Sequence, residues 1–229
     1  MPTQAHRNDR QADAFPRLTP CTIIGCGATG RHLALQLAAC GVPHLTLFDF
    51  DTIEELNLGP QGWSASDIGK LKTAALFEDI LHLRPDITVE AQHRRWRRPD
   101  GHAHGGIVFC CVDTMEAREL IWESCKARAE FFCDARMSAE ITRIIAHTAE
   151  HPIDYASTLF TDDSEMAYEG PCTFRSTNYT AAITAALMVN AYSRWLRGVR
   201  SIPDFVLNLP ALELFRLEPA HATSNPEDH

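Results

Sequence analysis

The stretch "CTIIGCGATG", residues 21–30, constrains the fold more than any other part of the sequence. A short apolar run leads into Gly25, Gly27 and Gly30 in GxGxxG spacing, and "RHLALQLAACG" then repeats apolar residues at helical intervals as far as Gly41. Glycines between a strand and a helix are typical of a nucleotide-binding βαβ unit. Gly25 permits the tight turn, Gly27 lets a phosphate approach the backbone, and Gly30 lets helix and strand pack closely.

An acidic residue follows the next predicted strand, "HLTLFDF", which reaches Asp49. An acid about 20 residues beyond the glycine loop is placed to bond a ribose hydroxyl. The two features together predict a bound mononucleotide or dinucleotide. They leave its identity open, because the same fingerprint serves NAD, FAD, S-adenosylmethionine and ATP.

The stretch "SASDIGKLKTAALFEDILHLRP", residues 64–85, predicts a helix capped by Ser64 or Ser66. Lys70 and Lys72 fall in its first turns, where a basic residue opposes the helix dipole at a cost of about 0.3–1 kcal/mol. That cost favours a role in countering phosphate charge for at least one of them, the alternative being a solvated lysine pair. The apolar stripe of this helix comprises Leu76, Ile80 and Leu83.

The pattern "GGIVFCCVD", residues 105–113, predicts a buried strand that brings Asp113 to the carboxyl edge of the sheet. Ligands bind at that edge in open parallel sheets, and an acid beside a triphosphate is a natural Mg²⁺ ligand. Asp134 and Arg136 come to another strand end, where we interpret them as a buried ion pair or as ligand contacts.

The basic run "HRRWRRP", residues 93–99, carries Trp96 at its centre. A solvated strand edge is one interpretation, and a grip on an acidic protein tail or an RNA phosphate is the other. The chain as a whole has a net charge of -9, which argues against a broad surface for nucleic acid or for anionic membranes.

Alternating strands and helices predict an α/β fold, a Rossmann-like doubly wound sheet that is parallel in its first half. The runs "ITRIIAHT" and "PDFVLNL" add mixed-direction strands in the second half, around a long helix at 177–197. No apolar run reaches membrane-spanning length, and the N-terminus is polar rather than signal-like. Eight cysteines without a CxxC spacing predict reduced thiols in the cytoplasm and no structural zinc.

Four motifs stand in register over about residues 20–130: "IIGCGATG", "LFDFDTIEELNLGPQ", "DIGKLK" and "CVDTMEAR". They resemble the successive signatures of ThiF/MoeB-type adenylyltransferases, the superfamily of ubiquitin-activating enzymes. The later part of the chain is similar to small bacterial members that activate ubiquitin-like proteins. The resemblance implies an enzyme that uses ATP and Mg²⁺ to adenylate the C-terminal carboxylate of a ubiquitin-like or sulfur-carrier protein. It also implies a homodimer, with a conjugating enzyme as a possible further partner.

The polar, proline-containing ends at 1–16 and 217–229 are predicted to be flexible. The resemblance implies a single ThiF-type adenylation domain at 17–216 between them. Within that domain a crossover loop at about 148–176 would drape over the nucleotide.

The resemblance also assigns roles to particular side chains. Asp49 would bind the ATP ribose, with Asp51 in the same nucleotide-binding set, and Asn57 and Gln61 would line the phosphates. Lys72 would contact those phosphates as a catalytic residue. Because a carboxylate nucleophile is already ionised, the reaction needs positioning and charge neutralisation rather than a general base.

Asp113 would hold Mg²⁺ and so share in catalysis. The motif "LFDFDTIEELNLGPQ" departs from the family at Pro60, where an arginine usually reaches the phosphates. One explanation is that another arginine substitutes. The alternative is a catalytically weak or inactive nucleotide-binding partner subunit. The candidate substitutes are Arg31, Arg136, and an arginine lent by a partner subunit from among Arg7, Arg10 and Arg17.

Cys172, in "YEGPCTFRST", is the candidate thiol for capturing the acyl adenylate as a thioester. Its position before a helix N-terminus and near Arg175 would favour the thiolate, while the alternative is a small residue in an ordered loop. The pattern around the others predicts inert core thiols at Cys26, Cys40, Cys110, Cys111 and Cys133.

Overall fold

The fold is described from a computed structural model that covers residues 13–159, 177–200 and 202–217. Within these residues a single sheet carries helices on both faces. The strands are β1 Cys21–Ile24, β2 His44–Phe48, β3 Thr88–Gln92, β4 Ile107–Cys110, β5 Phe131–Ser138, β6 Ile141–Thr148, β7 Asp204–Asn208 and β8 Glu213–Arg216. The helices are α1 Ala28–Ala39, α2 Leu58–Gln61, α3 Lys72–Leu83, α4 Asp100–His104, α5 Met115–Cys125 and α6 Asn178–Leu196.

The strand order β3-β2-β1-β4-β5-β6-β7-β8 places β1 in the interior of the sheet. The chain moves outward from β1 through β2 to β3, then returns to pair β4 with the other side of β1. The pairings up to β5 are parallel, so the carboxyl ends of these strands lie at one edge. The reversal between β1 and β4 is a topological switch point, where a crevice opens at that edge.

Alternate residues of the strands supply two apolar layers, one on each face of the sheet. Ile23 and Phe109 belong to the layer covered by α1, α3 and α6, whereas Ile24 and Val108 belong to the layer covered by α5. All four side chains are at most 3% exposed. Burial on both faces explains why these strands are continuously apolar.

The second half of the sheet is antiparallel, since β6 pairs antiparallel with β5 and β7, and β8 pairs antiparallel with β7. The predicted fold class, a doubly wound sheet with mixed strands in its second half, is confirmed. The long helix is α6, capped by the Thr177 side chain, and it buries small residues such as Ala181 and Ala185. Four larger apolar residues of this helix are partly buried: Ile183, Leu187, Val189 and Trp195.

The helix predicted over residues 64–85 is two elements, so that prediction was wrong in its start. Ser64 caps a single 3-10 turn at Ala65–Asp67, and α3 begins only at Lys72. Between them Gly69 takes φ +85°, a left-handed conformation that ends helical continuity. Leu83, expected in the apolar stripe, is 47% exposed, because the packed face of α3 is made by residues from its first three turns.

No helix in the described part of the chain combines the length and the apolar character that crossing a membrane requires.

Candidate nucleotide site

A cleft of about 1090 Å³ lies at the carboxyl edge of the sheet, over the switch point between β1 and β4. It is lined by the glycine loop, the ends of β2, β4 and β5, and the first turns of α3 and α5. Of the predicted site residues, it brings together Gly25, Gly27, Asp49, Asp51, Gln61, Lys72 and Asp113.

The three glycines of the loop are explained in different ways. Gly25 has φ +92°, and a Cβ there would lie 2.5 Å from the Cys111 carbonyl oxygen. A Cβ on Gly30 would lie 1.8 Å from the Gly25 carbonyl oxygen. Gly27 differs, because a Cβ there would meet no protein atom within 4 Å. Packing therefore requires the outer two glycines, and the open space at Gly27 faces the cleft.

Gly27 is also the N-cap residue of α1, and no side chain caps that helix end. The first turn of α1 contains no acidic residue. Uncapped N–H groups and the positive end of the helix dipole make an anion-binding position. The loop thus offers bare backbone, open volume and a positive helix end at one point.

Asp49 ties the glycine loop to the end of β2. Its carboxylate accepts hydrogen bonds from the backbone N–H of Cys26 at 2.7 Å and of Asp51 at 2.8 Å. Burial raises the pKa of Asp49, while these two backbone hydrogen bonds oppose that shift. A carboxylate has about four lone-pair positions, so acceptor positions remain for a ribose hydroxyl.

The two lysines near the start of α3 differ in whether they reach the cleft. Lys72 is 6% exposed, lines the cleft, and places its Nζ 2.8 Å from an Asp51 carboxylate oxygen. Lys70 points away to pair with Glu78 at 2.7 Å and Asp67 at 3.1 Å. A buried ammonium held at a cleft wall is suited to neutralising a ligand's negative charge. The structure therefore offers Lys72, and not Lys70, to the cleft.

Asp113 follows β4 and is exposed to the cleft. Its neighbour Thr114 caps α5 by accepting a hydrogen bond from the Ala117 N–H at 3.3 Å. No ion pair joins Asp113 to another described residue. A single carboxylate in the same cleft as the glycine loop fits Mg²⁺, which binds through one or two carboxylates together with substrate phosphates. No cluster of three or more His, Cys, Asp or Glu side chains suited to a metal occurs in the described residues.

The "LNLGPQ" segment lies at one end of the cleft. Gln61 lines the cleft and its side-chain oxygen accepts a hydrogen bond from Trp63 Nε1 at 2.9 Å. The Asn57 side chain instead accepts from the Glu54 N–H at 3.0 Å, and Asn57 is not among the lining residues. Pro60 sits inside the four-residue helix α2, in the place where the family motif has an arginine. The roles of Asn57 and Gln61 stay predictions.

The arginines proposed as substitutes are mostly engaged elsewhere. Arg31 pairs with Asp79 at 2.8 Å and lies over the Trp63 ring, outside the cleft lining. Arg17 lies over the Trp195 ring at 6.0 Å. Arg7 and Arg10 fall outside the described residues.

Arg136 does line the cleft, but it belongs to a buried charge network. Asp134, which is fully buried, bridges Arg118 and Arg136 and accepts a hydrogen bond from the Tyr155 hydroxyl at 3.0 Å. Arg136 also donates to the side-chain oxygen of Thr158 at 2.8 Å. The ion pair between Asp134 and Arg136 is thus present, and Arg118 is a third member that the sequence did not reveal.

Two further arginines in the cleft were also missed by sequence reasoning. Arg94 and Arg95, in the basic run after β3, line the cleft together with Trp96. Trp96 is only 5% exposed and donates from Nε1 to the Ser124 hydroxyl at 2.8 Å. A tryptophan within a basic run was the available signal, because one buried side chain anchors such a segment against the core.

Cys172 lies outside the described residues, so its surroundings are not part of this site. Every described cysteine is a free thiol. Burial raises the pKa of all seven thiols, to about 12 for Cys21 and Cys125. Cys40 and Cys111 are partly exposed, and Cys111 lines the cleft, which the expectation of an inert core thiol did not include. A raised pKa leaves little thiolate at neutral pH.

Together the strand order, the parallel first half of the sheet and the helices on both faces define an α/β protein of the Rossmann type. Residues 16–228 match the ThiF family, and the chain belongs to that family.

Curated relatives are similar at modest identity. Ubiquitin-like modifier-activating enzyme 5 of Oryza sativa subsp. japonica is 24% identical over 238 residues, covering 89% of this chain and 55% of the relative. The Dictyostelium discoideum protein of the same name is 28% identical over 199 residues, covering 76% and 51%. The chain thus spans about half the length of these relatives.

Solved structures share the fold. The E. coli MccB structure with AMPCPP and MccA superposes with a TM-score of 0.74 at 18% identity, covering 97% of this chain and 74% of that one. PaaA superposes with a TM-score of 0.71 at 18% identity, covering 91% and 66%. At these identities the likeness establishes the architecture.

Proposed function

We propose that the protein is an adenylyltransferase that activates the C-terminal carboxylate of a ubiquitin-like or sulfur-carrier protein, or of a peptide, with ATP. The observation that carries the proposal is the open space at Gly27, because Lys72 and Asp113 line the same cleft. Membership of the ThiF family supports it, as do relatives that are named for activating a ubiquitin-like modifier. The MccB structure that contains AMPCPP, a nucleotide, also supports ATP as the co-substrate.

In the proposed reaction, a carboxylate oxygen of the protein substrate attacks the α-phosphorus of ATP. The bond from that phosphorus to the bridging oxygen breaks, and pyrophosphate leaves with the electron pair. The ribose would rest on Asp49 and the phosphates on the Gly27 backbone, with Lys72 offsetting the charge of the leaving group. Mg²⁺, when bound at Asp113, would neutralise phosphate charge.

The test of adenylation is ATP–pyrophosphate exchange that depends on a protein ending in glycine. We expect exchange with at least one such protein encoded near this chain, because the acyl adenylate forms reversibly. If every candidate fails while the purified protein binds ATP, adenylation of this substrate class is wrong.

A second step would transfer the acyl group to Cys172, whose thiolate attacks the acyl carbon and releases AMP. The raised pKa of all seven described thiols supports this choice, since each of them would be a poor thiolate. We expect a reductant-sensitive adduct that disappears in Cys172→Ala and persists in Cys111→Ala. An adduct unchanged in Cys172→Ala would contradict the thioester. A conjugating enzyme would accept the acyl group in the next step.

We further propose that the protein acts as a homodimer in the cytoplasm, where its thiols remain reduced. The dimer is supported by Pro60, because a partner subunit could then lend an arginine from its N-terminal segment. Light scattering of the full chain tests the dimer, and a monomer that is active at every concentration would contradict it.

The same proline favours a second candidate, a nucleotide-binding partner subunit with weak or no catalysis. Among the described arginines that line the cleft, four of five (94, 118, 136 and 143) are each paired with a carboxylate, and the fifth, Arg95, lies over the Phe50 ring. This candidate predicts ATP binding by calorimetry without turnover. Formation of AMP by the purified protein would exclude it.

A further inference from the structure

The wall of the cleft beyond Asp49 carries an unusual pair of planar groups. Phe50 follows Asp49 directly and is 48% exposed, although it is a large aromatic residue at the edge of a buried sheet. The guanidinium of Arg95 lies over its ring, 4.0 Å from the ring centroid. Both residues line the cleft.

Arg95 differs from its neighbour Arg94 in how its charge is used. Arg94 donates to both carboxylate oxygens of Asp100, each at 2.8 Å, and this pairing lowers the pKa of Asp100. For Arg95, no hydrogen bond or ion pair to a described carboxylate is present, and the residue is exposed. Two adjacent arginines therefore have separate roles, one holding the loop and the other facing the cleft.

The loop that carries Arg95 is anchored to the core by the next residue, Trp96. Trp96 is buried, packs edge-on against the Phe48 ring at 4.9 Å, and is hydrogen-bonded to Ser124 on α5. Because Phe48 ends β2 and Ser124 belongs to α5, this anchor fixes the Arg95 backbone against both neighbouring elements. An anchored planar cation loses less freedom on binding a ligand than a mobile side chain does.

We propose that Phe50 and Arg95 together form the stacking wall for the purine base of ATP, with Arg95 as a residue that determines base preference. The inference rests on the proposed function and deepens it. If the ribose rests on Asp49, as proposed above, the base attached to it lies near Phe50, which directly follows Asp49. The cleft lining also includes apolar side chains, those of Ile24, Val112 and Leu120. Stacking on an arginine–aromatic pair favours the larger purine ring over a pyrimidine.

The experiment is titration calorimetry of the full chain with ATP and CTP, comparing the wild type with Arg95→Ala, Arg95→Lys and a matched control, Arg98→Ala. Arg98 belongs to the same basic run and is exposed, but it does not line the cleft. We expect Arg95→Ala to weaken ATP binding by about threefold to tenfold. The ratio of ATP to CTP affinity should fall with it, while Arg98→Ala binds both nucleotides as the wild type does.

Arg95→Lys separates a planar surface from a positive charge. It should recover less than half of the lost binding free energy, because an ammonium cannot stack. Full recovery, or an equal loss of ATP and CTP affinity in Arg95→Ala, would overturn the stacking role. If the wild type binds ATP and Arg95→Ala is unchanged, only this inference fails. If the wild type binds no ATP, the proposed function fails with it.

Discussion

The two halves of the sheet use the same residue types for opposite purposes. Around β1 and β2, charged side chains border open space, as Asp49, Lys72 and Asp113 do around Gly27. Around β5 and β6, charged side chains form ion pairs with one another, as Asp134 does with Arg118 and Arg136. The difference lies in exposure: Lys72 pairs with an Asp51 carboxylate that is 45% exposed at the cleft, whereas Asp134 is fully buried between its partners.

The largest expected effect comes from the β5 half. Asp134→Asn would leave the buried Arg118 and the partly buried Arg136 without their shared carboxylate, which should lower the free energy of unfolding by about 3–5 kcal/mol. Urea unfolding measures this loss. The control is Glu123→Gln, which removes an exposed ion pair to Lys126 (2.7 Å) and should cost less than about 1 kcal/mol. A change of similar size in both variants would show that the network is not structurally special.

Two of the three glycines in the motif, Gly27 and Gly30, sharpen the same comparison within a few residues. Gly30→Ala should lower the free energy of unfolding by about 1–3 kcal/mol or more, because its Cβ would collide with the Gly25 carbonyl oxygen. Gly27→Ala should leave stability within about 0.5 kcal/mol of wild type but weaken ATP binding by at least about tenfold. Thermal unfolding and calorimetry separate the two outcomes. If Gly27→Ala bound ATP normally, no phosphate would approach that backbone.

The smallest expected effect is a pH dependence through Asp49, which has opposite signs for folding stability and for ribose binding. Burial raises the pKa of Asp49, so its folded pKa lies above the unfolded value of about 3.9. The folded state therefore binds this proton more readily, and the contribution of Asp49 to stability is greatest at low pH and is lost as pH rises through the folded pKa. Ribose binding should change in the opposite direction, because a protonated carboxyl is a weaker acceptor.

The measurement compares ATP with its 2′,3′-dideoxy analogue as the pH is lowered from neutral. We expect the affinity advantage of ATP over the analogue to shrink on acidification, and to be smaller and independent of pH in Asp49→Asn. An advantage that is constant with pH would contradict the assignment of the ribose to Asp49.

Much of the first half of the fold was predictable because its signals are local. The strand, the glycine loop and the helix that follows are encoded within 21–41, and the burial of β1 and β4 follows from their continuous apolar runs. Two structural details were not predicted from the local sequence pattern. Gly69 divides the predicted 64–85 helix, and Trp96 turns part of a basic run into the cleft wall through contacts with β2 and α5.

The candidate site was predictable to the extent that each residue stands at the end of its own element. Asp49 and Asp113 follow strands whose carboxyl ends must meet at one edge. The ion-pair partner of an arginine is harder to predict, because it depends on which carboxylate lies nearest in space. Arg118 on α5 and Asp134 on β5 are sixteen residues apart in sequence, and only the packing of that helix on the sheet brings them together.

The most direct measurement is ATP affinity and ATP–pyrophosphate exchange in the double variant Lys72→Met/Asp113→Asn, with Lys70→Met as the matched control. Lys70 lies two residues from Lys72 but pairs with Glu78 outside the cleft. The central claim is that a triphosphate lies over Gly27 between these two side chains. It predicts that the double variant remains folded, binds ATP at least about 100-fold more weakly and loses exchange, whereas Lys70→Met retains both. A folded double variant with wild-type affinity and exchange would contradict it.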